Sequence, residues 1–277
     1  MKIIRHHWHE VQRPDCWTLY PIGDVHLGNA ACDERMFRAA VQRIADDDRA
    51  LWIGMGDYCD FINMSDPRFC AESLSPWVKM AHLVDLAGAQ KDRFLDIVEP
   101  IAGKCLGLVE GNHERSINKY YERNIYSNIV TGIKERGGFD ADTALAFGYS
   151  GWLMLHFYRS EKRTRGSLIR IYLHHGFVGG KLAGAKALNM QRILWNHECD
   201  LAVMGHSHNS AVQIEAVERV KGNRIEQEHR IGMFGGTFMS GAGYAEVKGY
   251  FPLPLTQPHV LLRPGAKEHR DRIRVVS

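Results

Sequence analysis

The sequence predicts an α/β protein with parallel strands, and three observations lead to this class. Short apolar runs at residues 17–22 and 51–55 have the length and composition of strands. Apolar residues at helical spacing lie between them, and a strand–helix–strand unit of this kind forms a parallel pair. Polar residues also collect directly after the predicted strands, where the loops of open α/β sheets carry ligands.

The same periodicities define the other elements along the chain. Strands are expected at residues 1–4, 17–22, 51–55, 105–109, 144–147, 152–158, 168–174, 201–204, 212–220, 226–233 and 272–276. Helices are expected at residues 33–47, 75–101, 117–135 and 186–195. Asp33 can cap the first helix, and Ser75-Pro76 occupy the cap and first-turn positions of the second. We expect a break in that second helix near Gly88.

The remaining stretches are predicted to be loops within a single domain that spans residues 1–277. Residues 61–76 lack a period and mix aromatic, proline and polar residues, which indicates a long loop. We therefore expect a lid or insertion at residues 61–80 beside the functional site. Residues 179–184 are expected to be loop, and the glycine-rich residues 235–249 to be irregular.

Composition excludes several classes of protein. A hydrophobic content of 45% and a charged content of 24% are typical of soluble globular proteins, and no apolar run is long enough for a membrane span. The first ten residues lack the apolar core of a secretory signal. The six cysteines are scattered without a Cys-x-x-Cys pair, which argues against a zinc ribbon or a disulfide framework and favours a cytoplasmic protein. A net charge of +3 neither demands nucleic acid nor opposes a phosphate-bearing substrate. The oligomeric state is not predicted.

Five short motifs stand at five predicted strand ends. They are Asp24-x-His26, Gly56-Asp57-x-x-Asp60, Gly111-Asn112-His113-Glu114, His175-Gly176 and Gly205-His206-x-His208. Two ligands at i and i+2 leave an extended backbone toward the same side, which suits the first and last motifs. The donors are carboxylate, imidazole and amide oxygen, with no thiolate. This set favours Mn, Fe or Zn with hydrolytic chemistry and disfavours a structural zinc site.

The five blocks, in this order, resemble the calcineurin-like metallophosphoesterase superfamily. The resemblance implies a four-layer αββα sandwich of two mixed β-sheets flanked by helices, with a dinuclear metal site at the C-terminal ends of the strands. It implies as ligands Asp24, His26 and His208 for one ion, Asn112, His175 and His206 for the other, and Asp57 as the bridge. Two such ions, of which we expect Mn²⁺ before Fe or Zn, can hold a hydroxide between them and bind phosphoryl oxygens.

The same resemblance assigns the acid that protonates the leaving group. His113 follows the ligand Asn112 without being a predicted ligand, so we assign it as general acid. Asp60 stands where the protein-phosphatase branch has the Asp that pairs with this histidine, and we expect it to orient His113. His175 is preferred over His174 as ligand because adjacent strand residues point to opposite faces.

The substrate is less defined. The protein-phosphatase branch has phosphate-binding arginines where this chain has Phe61 and Glu110. A diester carries one negative charge fewer than a monoester, so we expect a phosphodiesterase, with a phosphomonoesterase or protein phosphatase as the alternative. Basic residues at 159–165 and 263–274, with Trp77, could hold a nucleic acid, in which case the enzyme would be a nuclease. A solvated surface is the simpler explanation of these residues, and we prefer it.

A non-catalytic scaffold of the same fold is the second class of protein that the motifs allow. Such a scaffold would be expected to have lost ligands, yet every ligand position is filled. Glu114 and Arg115 are expected either to contact the ligands or phosphate, or to form a solvated salt pair. Lys181 follows a glycine pattern that is one residue too short for a Walker A loop and lacks its Ser or Thr. No His-Glu-x-x-His sequence is present, which excludes a zincin.

Overall fold

A computed structural model describes residues 1–64, 66, 69–163, 165–177, 183–240 and 255–277. Within these residues, twelve strands form two six-stranded sheets. The first sheet contains, in spatial order, β1 (Lys2–Trp8), β6 (Ser150–Tyr158), β7 (Gly166–His174), β8 (Leu201–Met204), β10 (Arg224–Phe234) and β9 (Val212–Lys221). The second contains β12 (Ile273–Val276), β11 (His259–Leu262), β2 (Trp17–Ile22), β3 (Ala50–Gly54), β4 (Cys105–Val109) and β5 (Ala146–Gly148). Both mix parallel and antiparallel pairs.

Helices cover the outer faces of both sheets. They are α1 (Glu34–Asp46), α2 (Leu86–Val98), α3 (Asn112–Tyr121), α4 (Ile125–Gly137) and α5 (Ala183–Asn196). One apolar core, with Leu19 and Leu173, fills the space between the sheets, and a second, with Phe94, joins the second sheet to its helices. A smaller core that includes Met190 joins α5 to the first sheet. The predicted four-layer αββα sandwich is thereby confirmed.

The strongly periodic segments lie where the sequence predicts them. β2 covers residues 17–22 as expected, and it pairs in parallel with β3 across the predicted connection. Asp33 caps α1 by accepting a hydrogen bond from the Met36 amide at 2.9 Å. The antiparallel hairpins β6–β7 and β9–β10 are both present. These elements follow from sequence because their own residues carry the apolar pattern.

Two helix predictions are wrong. No helix starts at Ser75; α2 begins at Leu86, after a 3₁₀ segment, because the Asp85 side chain accepts a hydrogen bond from the Gly88 amide at 2.9 Å and so caps the helix there. Gly88 therefore lies in the first turn and makes no break. The helix predicted at residues 117–135 is two helices, because Glu122 takes a left-handed conformation with φ of 53° and ends α3.

Three further differences concern short or partly described segments. Strand β11 has only four residues, and its short apolar pattern did not predict a strand. Gly184, expected in a loop, lies in α5, while the rest of that loop prediction largely falls on residues 178–182, outside the described residues. The irregular segment expected at residues 235–249 is also only partly described, because residues 241–249 lie outside that range. No helix in the described part of the chain has the length and apolar character needed to cross a membrane.

A partly buried ion-pair cluster lies at the start of β8, the end of that strand away from the candidate site. The Asp200 carboxylate, at the start of β8, accepts hydrogen bonds from the Arg170 backbone amide at 2.7 Å and the Arg170 guanidinium at 3.1 Å. The ring of His269 lies 3.1 Å from the same carboxylate. Burial alone would raise the pKa of Asp200, but His269 and Arg170 outweigh it and hold the pKa below its ordinary value.

We expect Asp200→Asn to lower the free energy of unfolding by about 2 to 3 kcal/mol at neutral pH, since it weakens hydrogen bonds to a buried charge. A depressed folded pKa gives stability that is present above the ordinary value of 3.8 and is lost as pH falls through the folded value. Urea unfolding of both proteins should thus show a difference that shrinks below about pH 4. Asp48→Asn, at an exposed position, is the control. A pH-independent difference would contradict the ion-pair explanation.

Candidate metal centre

The loops that follow five strands bring the predicted site residues together. Asp24 and His26 follow β2, Asp57 follows β3 and Asn112 follows β4, so the second sheet contributes three neighbouring loops. The backbone locks these loops to each other, because the amides of Asp24 and His26 donate to the carbonyls of Gly56 and Asp57 at 3.0 and 3.1 Å. The first sheet contributes His175 after β7, and His206 and His208 after β8. Side chains far apart in sequence therefore share one end of the sandwich.

Backbone strain is concentrated at these loops. Five candidate ligands have left-handed φ values, namely Asp24 (47°), His26 (49°), Asp57 (52°), His206 (63°) and His208 (51°). Few residues other than glycine adopt this conformation, and each instance costs on the order of 1 to 3 kcal/mol. The surrounding structure must hold these conformations, and strain of this kind collects at functional sites.

Glycine allows the loops to approach closely. Gly56 has φ of 89°, and a Cβ atom there would lie 2.6 Å from the Cα of Gly111 and 2.7 Å from Nδ1 of His175. Any side chain at this position would therefore separate the loops that carry Asp57, Asn112 and His175. The glycine of the Gly-Asp motif is required by this contact rather than by a turn alone.

The first cluster consists of Asp24, His26 and His208. Nε2 of His26 lies 3.1 Å from Nε2 of His208, and the same His208 nitrogen lies 3.7 Å from Oδ1 of Asp24. Both Asp24 and His26 are almost fully buried. Oδ1 of Asp24 has no hydrogen-bond partner among the described residues, while Oδ2 accepts from the His206 amide at 2.8 Å. One carboxylate oxygen and two ring nitrogens thus converge on one point.

The second cluster consists of Asp57, Asn112, His175 and His206. Nε2 of His175 lies 3.3 Å from Oδ2 of Asp57 and 3.0 Å from Oδ1 of Asn112. Nδ1 of His175 lies 2.8 Å from the Met55 carbonyl, to which it must donate a proton. This bond orients the ring so that Nε2 faces Asp57 and Asn112, where a metal ion would replace the Nε2 proton. His206 completes a group in which the ligand atoms of Asp57, His175 and His206 all lie within 4.8 Å of one another.

Asp57 lies between the two clusters. Its Oδ2 is 3.3 Å from Nε2 of His175 and 3.9 Å from Nε2 of His26. Its Oδ1 accepts a hydrogen bond from the His113 amide at 2.9 Å, which fixes the carboxylate plane. The structure therefore places one carboxylate within reach of both sets of ligands.

His113 and Asp60 lie beside the first cluster, in an arrangement that differs in one detail from the predicted one. Nδ1 of His113 donates to the backbone carbonyl of Asp60 in a short hydrogen bond. The Asp60 carboxylate instead faces His26, with Oδ1 3.7 Å from Nδ1 of that ring. The backbone of Asp60 therefore orients His113, and its side chain lies where a carboxylate supports a metal-binding histidine.

The electrostatics of the site fit a bound cation. Burial raises the pKa of Asp24 well above its ordinary value, and the Asp57 charge adds to this effect. Burial also opposes ionisation of Asp57, but the surrounding imidazoles, His175 first, hold its pKa well below the ordinary value. Burial disfavours a proton on His175, yet the Asp57 carboxylate outweighs it and raises the pKa of His175 to about 10. Buried carboxylates here require nearby positive charge, which divalent ions would supply.

The remaining donors also suit metal ions. Burial and the neighbouring His175 lower the pKa of His206 to about 4, so its ring is neutral at neutral pH and keeps a lone pair for coordination. Oδ1 of Asp24 has no hydrogen-bond partner among the described residues, and the His175 ring is oriented by the Met55 carbonyl, and both features point to the same use. The residues present therefore fit divalent metal ions bound through oxygen and nitrogen.

Glu114 has a role that the sequence did not resolve. Its carboxylate is fully buried, and Oε2 accepts hydrogen bonds from the amides of Asp57 and Gly111 at 2.9 and 2.8 Å. Oε1 accepts from the Tyr58 amide at 2.9 Å. Of the two alternatives that the sequence leaves open for Glu114, the solvated salt pair is wrong and the contact to a candidate ligand, Asp57, is found. Glu114 holds together the loops after β3 and β4, and its only signal in the sequence is its place as the final Glu of the Gly-Asn-His-Glu motif.

Several further predicted features lie apart from the clusters. His174, the rejected choice of ligand, accepts a hydrogen bond from the Gly176 amide at 2.8 Å through Nδ1 and stays outside both clusters. The Trp77 ring is covered by the Arg93 guanidinium, whose carbon lies 4.6 Å from the ring centroid. Lys181 falls outside the described residues.

The two basic loops lie at the opposite end of the sandwich. The loop at residues 159–165 precedes β7, whose nine residues span roughly 30 Å before the chain reaches His175. The loop after β11 lies at the same far end, because Leu262 pairs with Trp17, the first residue of β2. A nucleic acid bound by either loop would thus lie away from the clusters.

A two-sheet sandwich with carboxylate, imidazole and amide ligands at its strand ends defines the metallophosphoesterase class. Comparison with known families agrees, since the calcineurin-like phosphoesterase model matches residues 19–210. The chain belongs to this family, which supports a phosphoester hydrolase that binds divalent metals. Among curated proteins, no sequence matches the chain.

Solved structures with a similar fold share little sequence with this chain. A metallophosphoesterase from Sphaerobacter thermophilus is 11% identical, and the match covers 94% of this chain and 88% of that one, with a TM-score of 0.37. Wild-type Vps29 from Entamoeba histolytica, complexed with Zn²⁺, is 14% identical over 88% of this chain and 84% of that one, with a TM-score of 0.35. A conserved predicted phosphoesterase from Streptococcus pneumoniae is 10% identical over 95% of this chain and 98% of that one, with a TM-score of 0.35.

Proposed function

We propose that this protein is a dinuclear metal-dependent phosphodiesterase. The observation that carries the proposal is the position of Asp57. Its Oδ2 lies 3.3 Å from Nε2 of His175 in the second cluster and 3.9 Å from Nε2 of His26 in the first. The ligands for one ion would be Asp24, His26 and His208, those for the other Asn112, His175 and His206, and Asp57 would serve both. Divalent ions bound there would activate water and neutralise phosphoryl oxygens.

His113 is the proposed general acid. Its Nδ1 proton is used in the hydrogen bond to the Asp60 carbonyl, so Nε2 is the nitrogen that can give a proton to the leaving oxygen. The ring packs edge-on against His26, with centroids 4.7 Å apart, so it lies beside the first cluster. Asp60 would position both rings, through its carbonyl for His113 and its carboxylate for His26.

The two positions that hold arginine in protein phosphatases, here Phe61 and Glu110, support a diester as substrate. Phe61 stands where a protein phosphatase has an arginine, and it is almost completely buried, so it offers no charge to a phosphate. Glu110, at the second such position, is an acid that lines the same cavity as Asn112. A monoester dianion would need more positive charge than these positions supply. A nuclease would need a strand-binding surface near the clusters, and the basic loops are too distant to provide it.

Within a single domain, the described part of residues 61–80, which leaves out residues 65, 67 and 68, is proposed to form a wall of the site. The Ser75 amide donates to the Gly28 carbonyl at 2.9 Å, and the Ala30 amide donates to the Ser73 carbonyl at 2.7 Å. These bonds hold part of the segment against the loop that follows His26. We also propose Mn²⁺ as the first ion to test, because every candidate ligand atom is oxygen or nitrogen. Six free cysteines agree with the reducing cytoplasm as its location.

The test of this function is the effect of His113→Ala on two diesters. With an alkyl leaving group, we expect kcat to fall by about 10² to 10⁴, because the departing alkoxide needs a proton. With a 4-nitrophenyl leaving group, which departs without one, the fall should be much smaller. Rates are measured by steady-state hydrolysis with Mn²⁺.

His7→Ala provides the matched control, since His7 is an exposed histidine on β1. Equal losses for both leaving groups would contradict the acid role of His113. Absence of turnover by the unmodified protein with Mn²⁺, Fe²⁺ or Zn²⁺ would favour the non-catalytic scaffold.

A further inference from the structure

A cavity of about 520 Å³ opens beside the second cluster. Its lining includes Asn112, whose Oδ1 lies 3.0 Å from Nε2 of His175, so the cavity borders the candidate metal centre directly. Tyr149 forms another part of the lining, and its ring packs edge-on against His175 with centroids 5.4 Å apart. A substrate bound at the centre could extend into this space.

One face of α3 lines the cavity. Asn112, Arg115, Ser116 and Lys119 are spaced at i, i+3, i+4 and i+7, which places them in a row along the helix. The row begins at the candidate ligand and continues with two cations. Only one acid, Glu110, belongs to the same lining among the described residues, so the cavity carries more positive than negative side chains.

Arg115 is held in place by stacking and keeps its hydrogen-bond donors available. Its guanidinium carbon lies 5.1 Å from the centroid of the Tyr149 ring, and the Tyr149 hydroxyl donates to the Gly176 carbonyl at 2.8 Å. The ring is therefore fixed, and it fixes the arginine above it. Within the part of the chain that the structure describes, the guanidinium makes this ring contact and no hydrogen bond. A planar guanidinium held in this way suits an anionic oxygen group.

We propose that this cavity is a substrate subsite for a second anionic group, a phosphate or a carboxylate, and that Arg115 determines the preference. The inference rests on the proposed function and deepens it, since it assigns the substrates to diesters that carry an additional negative charge. It also gives a reason for the missing arginines at positions 61 and 110. In this chain, the guanidinium of Arg115 lies in the cavity next to the reacting phosphate. There it would bind the second anionic group of the substrate rather than the reacting phosphate itself.

The test compares three 4-nitrophenyl diesters of thymidine 5′-phosphate. The first has a free 3′-hydroxyl, the second a 3′-phosphate and the third a 3′-O-carboxymethyl group. We expect the unmodified protein to have a KM lower by about tenfold for at least one anionic probe, as one charge-assisted hydrogen bond would give. The better of the two anionic probes identifies the group.

Arg115→Gln should remove this advantage by raising the KM of the preferred anionic probe about tenfold, while kcat and the KM of the neutral probe stay within about twofold. Arg35→Gln removes the same charge from an exposed position on α1 and should leave all three KM values unchanged. Equal KM values for all probes in the unmodified protein would overturn the proposal. So would an Arg115→Gln effect of equal size on the neutral probe.

A binding measurement separates this inference from the proposed function. Calorimetric titration with thymidine 3′,5′-bisphosphate and thymidine 5′-phosphate needs no turnover. Tighter binding of the bisphosphate, lost in Arg115→Gln, would support the subsite even if no diester were hydrolysed. Equal affinities of the two ligands would overturn the subsite and leave the hydrolase proposal to its own test.

Discussion

Asp57→Asn is expected to abolish hydrolysis almost completely, with a fall of kcat/KM by about a thousandfold or more, because several kcal/mol of electrostatic stabilisation depend on the ions. The carboxylate lies within 3.9 Å of ring nitrogens from both clusters, so its loss would weaken both sites at once. An amide of the same shape removes the charge while preserving the oxygen that accepts from the His113 amide.

Metal binding supplies an independent measurement of the same change. A ligand at about 100 times its Kd stabilises a folded protein by about 2.7 kcal/mol, so Mn²⁺ should raise the Tm of the unmodified protein. Asp57→Asn should lose most of this shift, whereas Asp142→Asn, at an exposed position, should keep it. An Asp57→Asn protein that kept both the Mn²⁺ shift and its turnover would show that Asp57 is not a shared ligand.

Glu114→Ala is expected to lower the free energy of unfolding by about 3 to 5 kcal/mol, because it leaves three buried amide groups without an acceptor. Hydrolysis should fall as well, since two of these amides belong to Asp57 and Tyr58 in the loop after β3. Glu114→Gln should have a smaller but clear effect, because its –NH₂ group would face at least one of the same donors.

Urea unfolding without added metal separates these effects. The stability loss of Glu114→Ala should persist in the metal-free protein, whereas that of a ligand variant should appear mainly with metal present. Glu135→Gln, at an exposed position on α4, is the control. If Glu114→Ala unfolded at the same urea concentration as the unmodified protein, the carboxylate would not be what joins the two loops.

The sequence predicts the strand-end motifs well because each one depends on local information. A buried strand is a short apolar run, and the polar residues directly after β2, β4 and β8 identify the loops that meet at one end of the sandwich. The choice between His174 and His175 also follows from local geometry, since successive strand residues face opposite ways. For these residues, the structure supplies the distances between side chains, but it adds no new candidate ligand.

Contacts between distant segments determine the features that no local pattern encodes. Glu114 accepts hydrogen bonds from Asp57 and Tyr58, which precede it by 57 and 56 residues. The first residues of α3, from Asn112, show little apolar periodicity. The helix predicted from residue 117 therefore begins five residues too late. The position of the basic loops depends on strand direction and register. The loop after β11 is known to lie at the end of the sandwich away from the clusters only because Leu262 pairs with Trp17.

The left-handed conformations of Asp24, His26, Asp57, His206 and His208 have a consequence for the evolution of this protein. In the metal-free protein, glycine at any of these positions would relieve backbone strain, but it would delete a donor. Selection for the stability of the metal-free chain alone would therefore remove these donors. Only continued selection for the donor side chains themselves would keep such conformationally costly residues in place.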